Sequence, residues 1–255
     1  MKLIDSHTHL YVEQFDEDRE AVLARAQKEG IHHFLIPAID ASYYDRMKAL
    51  QSLAPQQIHL MAGLHPTHVA SNFKEELAVV ESELNTGSYC AVGEIGIDLY
   101  WEKKFIKEQQ QAFATQIQWA IDRDLPIVIH CREAFDAVFE VLDSFDAQRL
   151  KGIFHCFTGN QKQAEQALAN NLLLGIGGVV TFKNGKIDQF LNEIPLEQIT
   201  LETYAPYLAP VPYRGKRNES SYLSLIAAKV ASLYGLSIEE VAQRTSENIQ
   251  RVFSL

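Results

Sequence analysis

Asp5, His7 and His9 alternate in the run DSHTHL, close to the amino terminus. In an extended chain, side chains two apart project to the same side, so the acid and the two imidazoles share one space. Imidazole nitrogen and carboxylate oxygen suit zinc, manganese or iron. A pair of histidines hydrogen-bonded at a strand end explains one such triplet equally well. The same ligand types recur, however, as Glu94 in GEIGID, His130 in VIHCR and His155 in IFHCF. Each lies toward the carboxyl end of a different apolar run that reads as a strand. His7, His9, Glu94, His130 and His155 are enough for a two-metal centre in which a carboxylate bridges the ions. Buried without a cation, these groups would be poorly paired.

The remaining polar residues sort by their place in the same runs. His32, His33 and His59 begin strands and belong to the opposite rim, where a surface role is expected. His65 in GLHP closes the third run and could orient a substrate or support a ligand, whereas His68 reads as loop. Cys131 and Cys156 each follow a candidate ligand, so alternation turns them toward a helix layer as packing residues. Asp5 and Asp98 could fix histidine tautomers, and a loop or cap hydrogen bond is an equal alternative for either. GIGG at 175–178 lacks the pattern of a dinucleotide loop and suggests a bulge or a close backbone approach in the seventh strand. In YRGKR, Arg214, Lys216 and Arg217 could reach over a mouth to grip phosphates, with Arg132 as a further cation at that rim. A solvated charge cluster is the alternative.

Something must carry these residues to one place. Eight apolar runs bounded by turns cross the 255 residues, and most precede a segment of helical spacing. Residues 16–30 and 106–124 are two of those helices. Units of about 32 residues fit a (β/α)8 TIM barrel occupying the whole chain, 1–255, as a single domain. An open doubly wound sheet is the competitor, because alternation alone does not show closure. Two further helical stretches, roughly 218–234 and 237–253, follow the eighth run. The composition, 47% hydrophobic and 22% charged, supports a large core. No apolar run has membrane-spanning length and the amino terminus has no leader pattern, so a cytoplasmic protein is expected. Three scattered cysteines give no disulfide framework. A net charge of −10 repels polyanions, so such a partner needs a local basic patch or bound cations.

DSHTHL, GLHP, GEIGID, IHCREA, FHCFTG, ETYAPYLAP and RGKRNE occur in an order that spans nearly the whole chain. In this the sequence resembles the TatD-type metal-dependent hydrolases, within the amidohydrolase-like barrels. The resemblance implies a deoxyribonuclease with two divalent ions, zinc, manganese or magnesium. His7, His9 and Glu94 would surround one, and Glu94, His130 and His155 the other, with DNA or another phosphodiester, short or single-stranded, as substrate. Some members of the family are associated with D-aminoacyl-tRNA deacylation, so an esterase is an alternative, and a catalytically silent binding protein is another. The family carries aspartate after ET as ligand and base; here that position is Tyr204. An unperturbed phenol, with a pKa of about 10, is a poor base at neutral pH. The expected result is a site that holds metal through the other five ligands and turns over slowly. Glu202 shares the face of Tyr204 but is expected to lie too deep to reach fully.

Overall fold

The computed structural model describes residues 2–101 and 103–255. Eight short strands run β1 Leu3–Asp5, β2 Ile31–Ile36, β3 Ile58–Ala62, β4 Ala91–Asp98, β5 Ile127–Arg132, β6 Gly152–Phe154, β7 Leu172–Ile176 and β8 Ile199–Leu201. Each overlaps one of the eight apolar runs, β2 starting one residue earlier, at Ile31. Every strand pairs in parallel with the next, in the order β1 to β8. The helices are α1 Arg19–Lys28, α2 Tyr44–Leu53, α3 Phe73–Leu84, α4 Ile106–Asp122, α5 Phe135–Leu142, α6 Gln161–Ala169, α7 Leu223–Tyr234 and α8 Ile238–Phe253. One unit departs from the repeat. Between β7 and β8 the described chain forms four short 3-10 turns, from Gly178–Thr181 to Leu196–Gln198, and no α-helix. The two helices after β8 complete the outer layer.

Closure between β8 and β1 decides the barrel against the open sheet, and side chains do much of it. The Ser6 amide and hydroxyl both donate to the Leu201 carbonyl, at 3.1 and 3.0 Å. The Asp5 carboxylate accepts from the Thr203 amide at 2.8 Å and from its hydroxyl at 2.6 Å. Asp5 therefore zips the seam through loop hydrogen bonds, the second of the two readings its position allowed, and makes no hydrogen bond to a histidine among the described residues.

The strands present apolar residues to both faces, as expected where helices cover the outside. Ile4, Leu35, Met61, Ala91, Val128, Ile153 and Leu173, one from each of the first seven strands, pack together with Ile249 and Phe253 of α8. They form the apolar floor of the barrel. The residue two further along β5 is His130, and two beyond Ile153 is His155, so the face that carries the floor also carries the imidazoles above it. In β4 the register with β5 shifts between Gly93 and Ile95. This bulge makes Glu94 the extra residue and turns it inward, while Ile95 and Ile97 join the outer core. Gly96, at φ +142°, lies where a Cβ would run into the His130 backbone, so only glycine lets β4 and β5 approach there.

Candidate metal centre

Glu94 is fully buried at the middle of the polar layer. Its Oε2 lies 3.0 Å from His7 Nε2 and 3.4 Å from His9 Nε2. Its Oε1 lies 2.8 Å from His130 Nδ1, 3.3 Å from His65 Nε2 and 3.7 Å from His155 Nε2. One carboxylate thus divides five imidazoles into two groups, one per oxygen. Burial opposes the charge of Glu94, but the surrounding imidazoles, His7 foremost, hold its carboxyl well below the usual range. Burial also drives His7 and His155 down to about 3, leaving neutral rings with lone pairs to offer.

Neighbours fix the tautomers. The Tyr11 hydroxyl donates to the Pro37 carbonyl at 2.8 Å, so at 3.0 Å it accepts from His9 Nδ1 and leaves the lone pair of His9 on the Nε2 that faces Glu94. Tyr11 was not singled out in the sequence, although it continues the alternation 5, 7, 9, 11. At His65 the Thr67 amide donates to Nδ1, so the inward Nε2 carries the proton and donates toward Glu94. His65 in that state supports the carboxylate. His130 reaches Glu94 through Nδ1 and Asp98 through Nε2, the latter at 2.9 Å. Burial works against its charge, yet hydrogen bonds to Asp98 and Glu94 push it up to about 9. Asp98 thus fixes a histidine, as its position had suggested.

Glu202 lies closer to the centre than expected. It is fully buried, its Oε1 accepts from the Cys156 amide at 2.8 Å and lies 2.8 Å from His155 Nδ1 without hydrogen-bonding alignment. His155 is therefore placed between Glu94 and Glu202 much as His130 is placed between Glu94 and Asp98. Gly175 explains how the carboxylate fits. A Cβ on Gly175 would collide with the Glu202 carboxyl, so this glycine of β7 makes the room. That pocket belongs to a different strand, which periodicity along a single run does not reveal.

The donor set fits divalent cations. Three trios, His7–His9–Glu94, His65–Glu94–His130 and His7–His155–Glu202, each bring their ligand atoms within 4.8 Å of one another. His7 Nδ1, both nitrogens of His155 and Glu202 Oε2 are buried with no hydrogen-bond partner among the described residues. Buried polar atoms left this way are costly unless something else satisfies them. Residues that bind and orient are therefore present in excess of what the protein alone can pair.

Tyr204 covers this layer. Its ring centroid lies 4.5, 5.5 and 5.7 Å from those of His155, His7 and His9. Burial, and then the charge of Glu94, raise its phenol well above the ordinary value, so it is protonated. Its backbone has φ +60°, a left-handed conformation that aspartate adopts more readily than tyrosine. Of the cations, Arg132 is exposed and stacked over Tyr100, and Arg214 over Phe182. Lys216 is exposed. Arg217 is committed elsewhere, since it pairs with Asp18 at 2.8 and 2.7 Å and donates to the Gln14 carbonyl. At the opposite rim His33 and His59 pair with each other at 3.0 Å and are half-buried, not open surface. Cys131 and Cys156 are half-buried thiols whose pKa burial raises.

A parallel barrel that gathers five imidazoles around one ionised carboxylate is the architecture of a metal-dependent hydrolase. The sequence profile of the family described as TatD related DNase matches residues 4–254, and the chain belongs to that family. It is 36% identical to the "Uncharacterized metal-dependent hydrolase YabD" of Bacillus subtilis strain 168, over 99% of both chains. It is 32% identical to the "3'-5' ssDNA/RNA exonuclease TatD" of Pectobacterium atrosepticum, over 99% of this chain and 100% of the relative. The crystal structure of the TatD homologue YJJV from Escherichia coli K12 superposes with a TM-score of 0.92 at 28% identity, covering 99% of this chain and 98% of that one.

Proposed function

We propose that the centre holds two divalent cations bridged by Glu94 and hydrolyses phosphodiester bonds at the ends of short or single-stranded DNA. The observation that carries this reading is the division of imidazoles between the two oxygens of Glu94. His7, His9 and Glu94 would hold one ion, and Glu94, His130 and His155 the other. Zinc, manganese and magnesium are the candidates. When bound, such ions acidify water and neutralise charge that develops on the phosphoryl group. Glu94 keeps its negative charge between the sites, Asp98 holds the ring of His130, and His65 supports Glu94 from the rim. Arg132, Arg214 and Lys216 would anchor phosphates.

The name of the Pectobacterium relative, a ssDNA/RNA exonuclease, supports a single-stranded substrate. So does the net charge of −10, which disfavours broad contact with duplex. Tyr204 favours slow turnover, because a protonated phenol cannot take a proton from water. The test is an assay on 3'-labelled single-stranded and duplex oligonucleotides with added manganese, magnesium or zinc, beside carboxylic ester substrates. Slow, metal-dependent nucleotide release from single strands is expected. Ester cleavage without any nucleotide release under all three metals would overturn the reading.

A further inference from the structure

The loop that follows β4 holds the most water-exposed large aromatic among the described residues. Trp101 is 67% exposed and its neighbour Tyr100 is 48% exposed. The two rings meet edge to face at 4.9 Å. The Arg132 guanidinium sits 3.8 Å from the Tyr100 centroid and 5.4 Å from that of Trp101. Among the described residues no carboxylate lies within ion-pair distance of Arg132. In sequence Trp101 is followed by Glu102 and then by Lys103 and Lys104.

This turn is tied to the metal centre. Asp98 Oδ1 accepts from the amides of Tyr100 and Trp101, both at 2.9 Å, while its Oδ2 lies 2.9 Å from His130 Nε2. The carboxylate that orients a candidate ligand therefore also fixes the aromatic turn. Rigid aromatic surface held in water gains nothing for the fold, whereas it is the usual platform for an unpaired base, since every base presents a π-face. The adjacent guanidinium supplies the charge that a sugar-phosphate chain needs on an otherwise acidic molecule.

We propose that Trp101, with Tyr100 and Arg132, forms a stacking subsite for one unpaired nucleobase beside the scissile phosphodiester, with Arg132 on the neighbouring phosphate. The proposal rests on the phosphodiester reading above. Paired bases keep their faces inside the duplex, so the subsite selects single-stranded ends.

Trp101 and Trp119 are the two tryptophans of the chain. The variant Trp119→Phe leaves Trp101 as the sole indole reporter. In magnesium, a phosphorothioate-protected single strand is titrated against this protein and against versions carrying Trp101→Ala or Trp101→Phe, the latter two followed by strand anisotropy. Quenching of Trp101 is expected, with affinity weakened about five- to hundredfold by Trp101→Ala and largely retained by Trp101→Phe. The difference should disappear on a strand whose terminal base is replaced by an abasic sugar. Unchanged affinity of Trp101→Ala for the intact strand, or an equal loss on duplex and abasic strands, would overturn the subsite while leaving metal-dependent cleavage by the unmodified protein standing. Absence of metal-dependent cleavage of any strand would instead sink the phosphodiester reading on which the subsite depends.

Discussion

At position 204 a phenol stands over three imidazoles in a backbone conformation better suited to aspartate. Tyr204→Asp should raise metal-dependent nucleotide release about a hundredfold or more, the scale of a positioned general base; initial rates at saturating manganese check this. Glu202 is the second residue to test. Glu202→Gln keeps an acceptor for the Cys156 amide but removes the carboxylate, a potential ligand whose pKa burial raises to about 7, beside His155 Nδ1. Cation affinity should fall about tenfold to a hundredfold, read by isothermal titration calorimetry. His130 sets the pH dependence. Because its pKa lies near 9 without metal, it holds a proton at neutral pH that a cation at Nδ1 must displace. Affinity should therefore rise with pH, by up to about tenfold per unit for one released proton, and level off near pH 9. Calorimetry in buffers of different ionisation enthalpy would show whether that proton is released.

At the scale of elements, the β1–β8 seam matters most, because those two strands are three residues long and meet mainly through Ser6, Asp5 and Thr203. Thr203→Val keeps the shape but leaves Asp5 Oδ2 without its 2.6 Å partner. Loss of about 1–3 kcal/mol in urea unfolding is expected, the cost of an unsatisfied buried acceptor. The bulge in β4 is the other decisive element, since without the shift between Gly93 and Ile95 the carboxylate of Glu94 would face the helices. α4 contributes from outside. Its buried Gln109 and Gln116 accept from the amides of Asp98 and Leu64, holding the ends of β4 and β3 beneath the centre.

For the whole molecule, neutral imidazoles and unpaired buried atoms are gathered at one mouth of the barrel, so cations that bind there should stabilise the fold. Stripping the protein with EDTA should lower its stability by about 2.7 kcal/mol relative to protein in metal at a hundredfold excess over Kd. In a barrel of this size that is a Tm shift of about 5–10 °C, measurable by scanning calorimetry with and without added metal. On this acidic molecule Arg132, Arg214 and Lys216 are among the exposed cations that follow the strands. None of the described helices alone is long and apolar enough to cross a membrane.

The eight strands, the two final helices and the gathering of His7, His9, His130 and His155 were legible in the sequence, because period-two alternation and repeated strand–helix units are local properties of the chain, whereas Glu94, placed with them by its position at a strand end, meets them only through the bulge in β4. His7 and His9 lie just past the end of β1, and the alternation still placed them on the side where they meet Glu94. The roles of Glu202, Tyr11 and Arg217, and the seam function of Asp5, were decided only by tertiary structure. Each depends on a partner brought near by closure: Gly175 making space for Glu202, Pro37 taking the proton of Tyr11, Asp18 claiming Arg217, and Thr203 meeting Asp5. Sequence fixes which side a residue faces along its own strand, and the packing of distant strands and loops fixes what it meets there.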